Sequence, residues 1–406
     1  MKKERLFLVM GMALMILGFV SLPQAAEPIK IGYVHSLSGG GSVYGKPCLD
    51  AAEIAAAEIN AKGGVLGRKI EIIPRDDKTK PEDGLREAKD LVLSKKVDYL
   101  MGTVSSAVAL AISGFAKEQK KIFCVATAQS TAITTEKGHR YVFRISTNNS
   151  AYCRSAARRA AELPYTKYYL IGPDYEYGHS SNKEFWTELK RLKPSVVLVK
   201  EAFSPLGAPD FKPYLSAILA SGAEACYTSH WGGDWIAFAK QGKAMGYFDK
   251  IKDIGQDHGN MESALALGKD MPEGILGGSH YPFWALKTPK SEDFVKKFKE
   301  KAGMYPGVGA AGGYAIVYSL AEAIAKAKST DTEKVVDALE TVKVDTPVGN
   351  LAIRKIDHQA MWPFWYGFTK FTPEYPNFAI LQDVKAYDPA LVYQSEEEIK
   401  ALRAKQ

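Results

Sequence analysis

Cysteine is scarce in this chain: 406 residues hold four, Cys48, Cys124, Cys153 and Cys226. Their spacing matches no metal-ligand pattern, and they are too few for a disulfide scaffold. Cys124 and Cys226 fall in apolar, strand-like runs and read as buried small hydrophobes. An oxidising compartment permits one disulfide, which the sequence does not pair. A strong charge of one sign is also missing. The formal net charge is +7, with no long basic block, whereas phosphate recognition needs Lys and Arg clustered on one face. No nucleic-acid partner is expected. Catalytic signatures are missing too: there is no G-x-S-x-G elbow, no H-E-x-x-H, no P-loop, and no G-x-G-x-x-G after the first strand. No enzymatic activity and no cofactor are expected. There is no low-complexity segment and no repeat with a period of about 20–50 residues.

What is present begins with an export signal. Lys2, Lys3 and Arg5 precede an uncharged apolar run from Leu6 to Val20, followed by Ser21-Leu22-Pro23-Gln24-Ala25-Ala26. That order predicts a secretory signal peptide over residues 1–26, cleaved near Ala25 or Ala26, and a periplasmic location. The run is shorter than the ~20 residues a membrane span needs. The first cysteine is Cys48, which speaks against a lipid anchor. Removing residues 1–26 takes away three positive charges and one negative, lowering +7 to +5.

A chain of this length exceeds one hydrophobic core, so two domains are expected. Short apolar runs alternate with amphipathic ones, predicting parallel α/β architecture. Strands are predicted at 29–35, 69–75, 99–104, 121–126, 167–172, 196–202, 224–229, 253–255 and 274–278. Helices are predicted at 44–61, 82–95, 105–118, 150–163, 178–192, 210–221, 233–244, 290–302 and 308–328. Gly63-Gly64 supplies a left-handed stop for the first helix. The rhythm runs twice, from Ile29 to about Ile145 and from Lys167 to about Gly255. Two doubly wound sheets facing each other make a cleft, a common place for a small-molecule site.

Polar and aromatic residues gather just after the predicted strands. His35, Ser36, Ser38 and Tyr44 follow the first; Ser105 and Ser106 open a helix; Thr127, Ala128, Gln129 and Ser130 follow the next strand. In the second series the same edge carries Asp174, Tyr175 and Tyr177, then His230 and Trp231, then Gln256, Asp257 and His258. Hydroxyls and free N–H groups at a helix N-terminus suit a carboxylate, although the same serines also serve as ordinary caps. The aromatics suit an apolar ligand body or core packing, and Asp257 could receive an ammonium or hydroxyl. Gly39-Gly40-Gly41 reads as a ligand-contact turn, since no Gly-Lys-Ser/Thr follows to make a phosphate cradle. His35, His230, His258 and His280 raise the alternative of a metal site, but no carboxylate or cysteine stands at a ligand spacing beside them, so no metal is expected.

The segments Ile29–Gly32, Gly39 to Tyr44-Gly45, Ile59-Asn60-Ala61-Lys62-Gly63-Gly64-Val65-Leu66-Gly67-Arg68-Lys69-Ile70, Asp76-Asp77, Tyr177-Gly178, Asp210-Phe211 and Asp357-His358-Gln359 resemble periplasmic binding proteins of the leucine/isoleucine/valine type. These serve ATP-binding-cassette (ABC) importers. The resemblance covers nearly all of the chain after residue 26, and the Ile59–Ile70 stretch is its most specific part. It implies a type I periplasmic-binding fold of two lobes joined by three crossovers. Lobe one is then 27–147 with 279–355, and lobe two 148–278 with 356–406. It implies carboxylate contacts from Ser106, with Ser105 beside it, and from Thr127 and Gln129. Tyr44, Tyr177 and Trp231 match its aromatic positions, and Asp257 its acceptor of an amino group. Gln129 stands where threonine is usual, and Lys78 and Ser105 stand where some members have a disulfide. Trp231 with His230 and His258 suggests a pocket not shaped for simple branched aliphatic chains, so an aromatic acid is as open as an amino acid. Expected partners are a small-molecule ligand and an ABC permease, with the protein itself a monomer. A periplasmic sensor of the same fold and a Ser–His–Asp hydrolase are the alternatives.

Overall fold

In the computed structural model, which describes residues 26–405, the chain builds two sheets and passes between them three times. The first sheet takes β1 (Ile29–His35), β2 (Ile70–Asp76), β3 (Tyr99–Gly102), β4 (Phe123–Val125) and β5 (Val142–Arg144). The second takes β6 (Lys167–Pro173), β7 (Val197–Ser204), β8 (Ala225–Thr228), β9 (Lys252–Gly255) and β10 (Leu276–Ser279). The chain then returns to the first sheet with β11 (Lys343–Thr346), β12 (Gly349–Arg354) and β13 (Gln359–Ala360). It ends in the second with β14 (Phe364–Lys370) and β15 (Ile380–Tyr387). The spatial orders are β11-β12-β13-β5-β4-β3-β1-β2 and β15-β14-β10-β9-β8-β6-β7. Strands β1–β5 and β6–β10 run parallel, while β11, β12, β14 and β15 add antiparallel edges.

The covering helices are α1 (Ser42–Ala61), α2 (Pro81–Leu93), α3 (Ser106–Glu118), α4 (Asn149–Ala161), α5 (Glu176–Leu192), α6 (Lys212–Ala220) and α7 (Gly232–Ala244). They continue with α8 (Tyr247–Lys250), α9 (Met261–Leu267), α10 (Pro289–Ala302), α11 (Val308–Ala327), α12 (Thr332–Leu339), α13 (Pro389–Val392) and α14 (Glu396–Arg403). Helices on both faces bury the central strands completely, which is why β1 and β3 read as nearly unbroken apolar runs. Helices α1 and α11 cover one face of the first sheet, and α2 and α3 the other. Glycines let α11 approach α1: a Cβ at Gly313 would stand 2.2 Å from the Cys48 carbonyl oxygen, and one at Gly309 2.5 Å from that of Tyr44. Glu58 of α1 then accepts from the Tyr314 and Tyr318 hydroxyls and from Lys297, tying three helices together.

The distinctive Ile59–Ile70 stretch is a helix-to-strand connector. Helix α1 stops at Ala61, Gly64 N–H returns to the Ile59 carbonyl at 3.0 Å, and Gly64 holds φ +77°. The Asn60 amide accepts from the Ile70 N–H and donates to its carbonyl, which ties β2 back to the helix end. Asp76, at the end of β2, accepts the N–H groups of Leu37 and Lys78 and so braces the loop after β1.

Three sequence expectations change. The third crossing lies between Ala360 and Phe364 rather than at 356, because Gln359–Ala360 pairs with Arg144 and with β12 in the first sheet. The predicted strands at 99–104 and 121–126 are shorter, their last residues turning out of the sheet into the cleft loops. The strands from β11 onward carried no parallel βα rhythm and were not predicted. The signal-peptide expectation falls on residues outside those described, apart from Ala26. All four cysteines are free and fully buried, as expected for Cys124 and Cys226.

Candidate functional site

The carboxyl edges of the two sheets face each other across a cavity. The first sheet presents Tyr44 from α1, Val104 and Ser106 around the start of α3, and Thr127 and Gln129 from the loop after β4. The second presents Tyr152 from α4, Tyr175 and Tyr177 at the start of α5, Trp231 at the start of α7, and Gln256, Asp257 and Asn260 after β9. His280 and Val308 close the remaining side.

Of the residues singled out in the sequence, Tyr44, Ser106, Thr127, Gln129, Tyr175, Tyr177, Trp231 and Asp257 line this cavity. Ser105 and Ala128 do not. Ser105 is the buried residue preceding α3, and Ala128 turns its methyl into the core between Val34 and the helices α2 and α3. Tyr152, Asn260 and Val308 were missed: Tyr152 lies one turn into α4, Val308 is the first residue of α11, and Asn260 directly precedes the short helix α9, which was not predicted. Only the position of the opposite sheet makes them cavity walls. Gly39–Gly41 is not a ligand-contact turn. The Gly40 carbonyl accepts the Gly233 N–H of the facing sheet at 3.3 Å, and a Cβ at Gly232 would stand 2.8 Å from that oxygen.

The aromatic wall is continuous. The Tyr152 hydroxyl donates to that of Tyr177 at 2.9 Å, Trp231 Nε1 donates to the Tyr175 hydroxyl at 3.2 Å, and the Tyr44 and Trp231 rings stand 6.3 Å apart. The start of α3 brings Ser106 to the first-sheet side of the cavity. Ser106 Oγ accepts the Ser130 N–H at 3.0 Å, which leaves the Ser106 hydroxyl proton to be given elsewhere. Thr127 differs from its expected role. His35 Nδ1 accepts the Ser36 N–H, so its Nε2 carries the proton and donates to Thr127 Oγ1. The Thr127 hydroxyl in turn donates to the Thr103 carbonyl and has no proton left for a ligand. Burial pushes His35 and His280 down to about 3, so both rings are neutral near pH 7. The Thr147 hydroxyl donates to Gln129 Oε1 and accepts from His280 Nδ1, which leaves His280 Nε2 an acceptor.

Asp257 is the most heavily bonded group in the cavity. Its Oδ1 accepts from the Tyr44 hydroxyl at 2.5 Å and from Asn260 Nδ2 at 2.8 Å. Its Oδ2 accepts from the Gly232 N–H at 3.1 Å and from the Ser263 hydroxyl. Burial raises its carboxyl above the ordinary value, against the lowering effect of these donors. Beside it, Glu262 accepts the Gly309 N–H of α11 at 2.8 Å, and burial pushes it up to about 7.

The remaining histidines are packing groups in separate places. His230 meets Ser204 between Phe211 and Phe238, and His258 meets Asp253 while stacked 3.6 Å from Trp235. No cluster of metal-ligating side chains occurs among the described residues. Within the cavity Ser106 bonds Ser130 and His280 bonds Thr147, so no Ser–His–Asp chain is hydrogen-bonded among those residues.

Known proteins share this plan. The chain is 26% identical over 351 residues to the leucine-, isoleucine-, valine-, threonine- and alanine-binding protein of Pseudomonas aeruginosa, spanning 86% of this chain and 90% of that one. A solved ABC-type branched-chain amino acid transporter from Rhodopseudomonas palustris CGA009 matches with TM-score 0.72 and 26% identity over 90% of this chain and 98% of that one. A solute-binding protein of an ABC transporter from R. palustris BisB5, solved with 3,4-dihydroxybenzoic acid, matches with TM-score 0.82 and 23% identity over 91% and 99%. This last likeness is one of fold. The two solved relatives are named as ABC-transporter proteins, and none of the three names supports the sensor alternative. The family model for periplasmic binding proteins matches residues 28–368, an extracytoplasmic family of binding proteins rather than enzymes, and the chain belongs to it.

Proposed function

We propose that this protein is the solute-binding component of an ABC importer, and that it captures an aromatic monocarboxylate between its two sheets for delivery to a membrane permease. One observation carries the ligand class. Both Asp257 oxygens are already engaged by four protein donors, so the acceptor that an α-ammonium needs is taken. An amino-acid ligand would leave its ammonium desolvated and unpaired, which is costly. An acid without an ammonium has no such requirement. Four tyrosines and Trp231 supply flat walls for its ring. The start of α3, with the free Ser106 proton, supplies donors and a favourable dipole for its carboxylate. The neutral His280 offers an acceptor for a ring hydroxyl. The fold itself admits this chemistry, since the R. palustris BisB5 protein holds 3,4-dihydroxybenzoic acid.

A second reading is a branched-chain amino acid, favoured by the names of the 26% identical relatives. It requires Tyr44, Asn260 or Ser263 to release Asp257 when the ligand enters. A thermal-shift screen separates the two. Benzoate or 4-hydroxybenzoate at about 100 times its Kd is expected to stabilise by about 2.7 kcal/mol, with leucine and valine silent. A shift with leucine and none with any aromatic acid would overturn the aromatic assignment.

A further inference from the structure

Behind the cavity wall stands Arg144, a charged residue that the binding site does not explain. The side chain is fully buried at the end of β5. It makes no ion pair among the described residues. The nearby Asp357 is taken by two bonds from Arg354. Instead the guanidinium donates to two backbone carbonyls, Nη1 to Gln129 at 2.9 Å and Nη2 to Ser130 at 2.5 Å, while Nε has no partner. The carboxylates of Asp357 and Glu176 act on it only through space, and a buried cation with no carboxylate bonded to it is costly. Burial lowers it only to about 10, so it stays protonated near pH 7.

The two carbonyls belong to the loop after β4, which lines the cavity. The Gln129 carbonyl and the Ser130 N–H are opposite ends of one peptide unit. Arg144 and the Asn149 N–H, at 2.9 and 2.7 Å, hold the carbonyl end, and the N–H end donates to Ser106 Oγ at 3.0 Å. The chain therefore runs from guanidinium to carbonyl, across the peptide to Ser106 Oγ, and through the Ser106 hydroxyl into the cavity. Each bond in such a series polarises the next.

We propose that Arg144 is a positioning residue for the ligand's carboxylate: it helps fix the Gln129–Ser130 peptide so that Ser106 donates into the cavity, and its positive charge favours a bound anion. The assignment rests on the ligand being a carboxylate, as proposed above. It requires no direct contact between Arg144 and the ligand. It distinguishes an anion from a neutral ligand of the same shape, because Ser106 can donate to either whereas the buried charge favours only the anion.

Calorimetric titration with 4-hydroxybenzoate and the matched 4-hydroxybenzamide tests it, using wild type, Arg144→Lys, Arg144→Met and Ser106→Ala. Wild type is expected to prefer the acid. Arg144→Met should weaken the acid at least tenfold and the amide less than threefold. Arg144→Lys, which keeps the charge but loses the fork, should fall between them. In the S106A background the effect of Arg144→Lys should shrink to less than twofold. Melting curves establish that each variant is folded; if Arg144→Met is not, Arg144→Lys and the Ser106→Ala cycle decide. Equal weakening of acid and amide, or no weakening of either, overturns the assignment and leaves Arg144 a packing residue. If wild type binds leucine in place of the benzoate, the aromatic reading fails, and leucine against leucinamide tests Arg144 in the same way. If wild type binds neither acid, the carboxylate reading and the role of Arg144 fall together.

Discussion

Asp257 shows how a single carboxylate can tie two sheets together. It sits after β9 of the second sheet, yet one of its donors, the Tyr44 hydroxyl, comes from α1 above the first. That bond spans the two sheets. A hydrogen bond to a charged group contributes about 1.5–3 kcal/mol. Tyr44→Phe keeps the ring against Trp231 and removes only the hydroxyl. It is expected to weaken ligand binding about tenfold in calorimetric titration, with little change in the urea midpoint of the ligand-free protein. An unchanged affinity would mean that Asp257 is held by its remaining three donors and that Tyr44 is no latch. Glu262 repeats the arrangement one turn on. Its carboxylate accepts from the first turn of the 20-residue helix α11, where the helix dipole favours negative charge, while burial opposes that charge.

Among the elements, the α1–α11 pair bears most directly on the site, because Tyr44 and Val308 stand at the cavity ends of these two helices. Their close approach depends on Gly309 and Gly313, whose missing Cβ atoms leave room for the Tyr44 and Cys48 carbonyls. Gly313 lies one turn further from the cavity than Gly309. Gly313→Ala places a methyl 2.2 Å from backbone, which no side-chain rotation relieves, so the helices must separate. Overpacking of this kind costs about 1–3 kcal/mol. A lower melting temperature is expected, together with a weaker ligand response, since Tyr44 moves with α1. Gly63→Ala puts a methyl at φ +97° in open space and should destabilise without touching binding. If both variants lower ligand affinity equally, the helix pair has no special link to the site.

For the molecule as a whole, the arrangement of the two sheets balances buried charge against hydrogen bonds between them, and it carries a pH signature. Glu262 has an ordinary value near 4.5 when exposed and about 7 in the folded protein, raised first of all by burial. A carboxyl raised on folding contributes stability that is complete below pH 4.5 and is lost as pH rises through 7. Over that window the loss amounts to at most about 3 kcal/mol. Asp234, pushed up to about 6 by burial, acts in the same direction. The difference between wild type and Glu262→Gln isolates the one group. The stability of wild type relative to Glu262→Gln should fall between pH 4.5 and 7 and level off above. Parallel pH profiles for the two proteins would show that Glu262 does not ionise on this range.

The local periodicities of the sequence determined the parallel βα rhythm, the stop of α1 at Gly63-Gly64, and the strand ends where Tyr44, Ser106, Thr127, Gln129, Tyr175, Tyr177, Trp231 and Asp257 gather. These follow from short-range rules: strands end where polar residues begin, and the edges of α/β sheets collect ligands. The return of Gln359–Ala360 to the first sheet was not legible, because a two-residue strand has no period of its own and pairs only where Arg144 and β12 already stand. The antiparallel edges were equally silent, lacking the helix between strands that marks a parallel crossover. Roles at the site changed most. Thr127 gives its proton to Thr103, Asp257 is occupied by its own neighbours, Ala128 belongs to the core, and Tyr152 joins the wall. Residue type states which bonds a side chain can make, but only the tertiary structure, by bringing partners from distant segments within reach, decides which of them are already made.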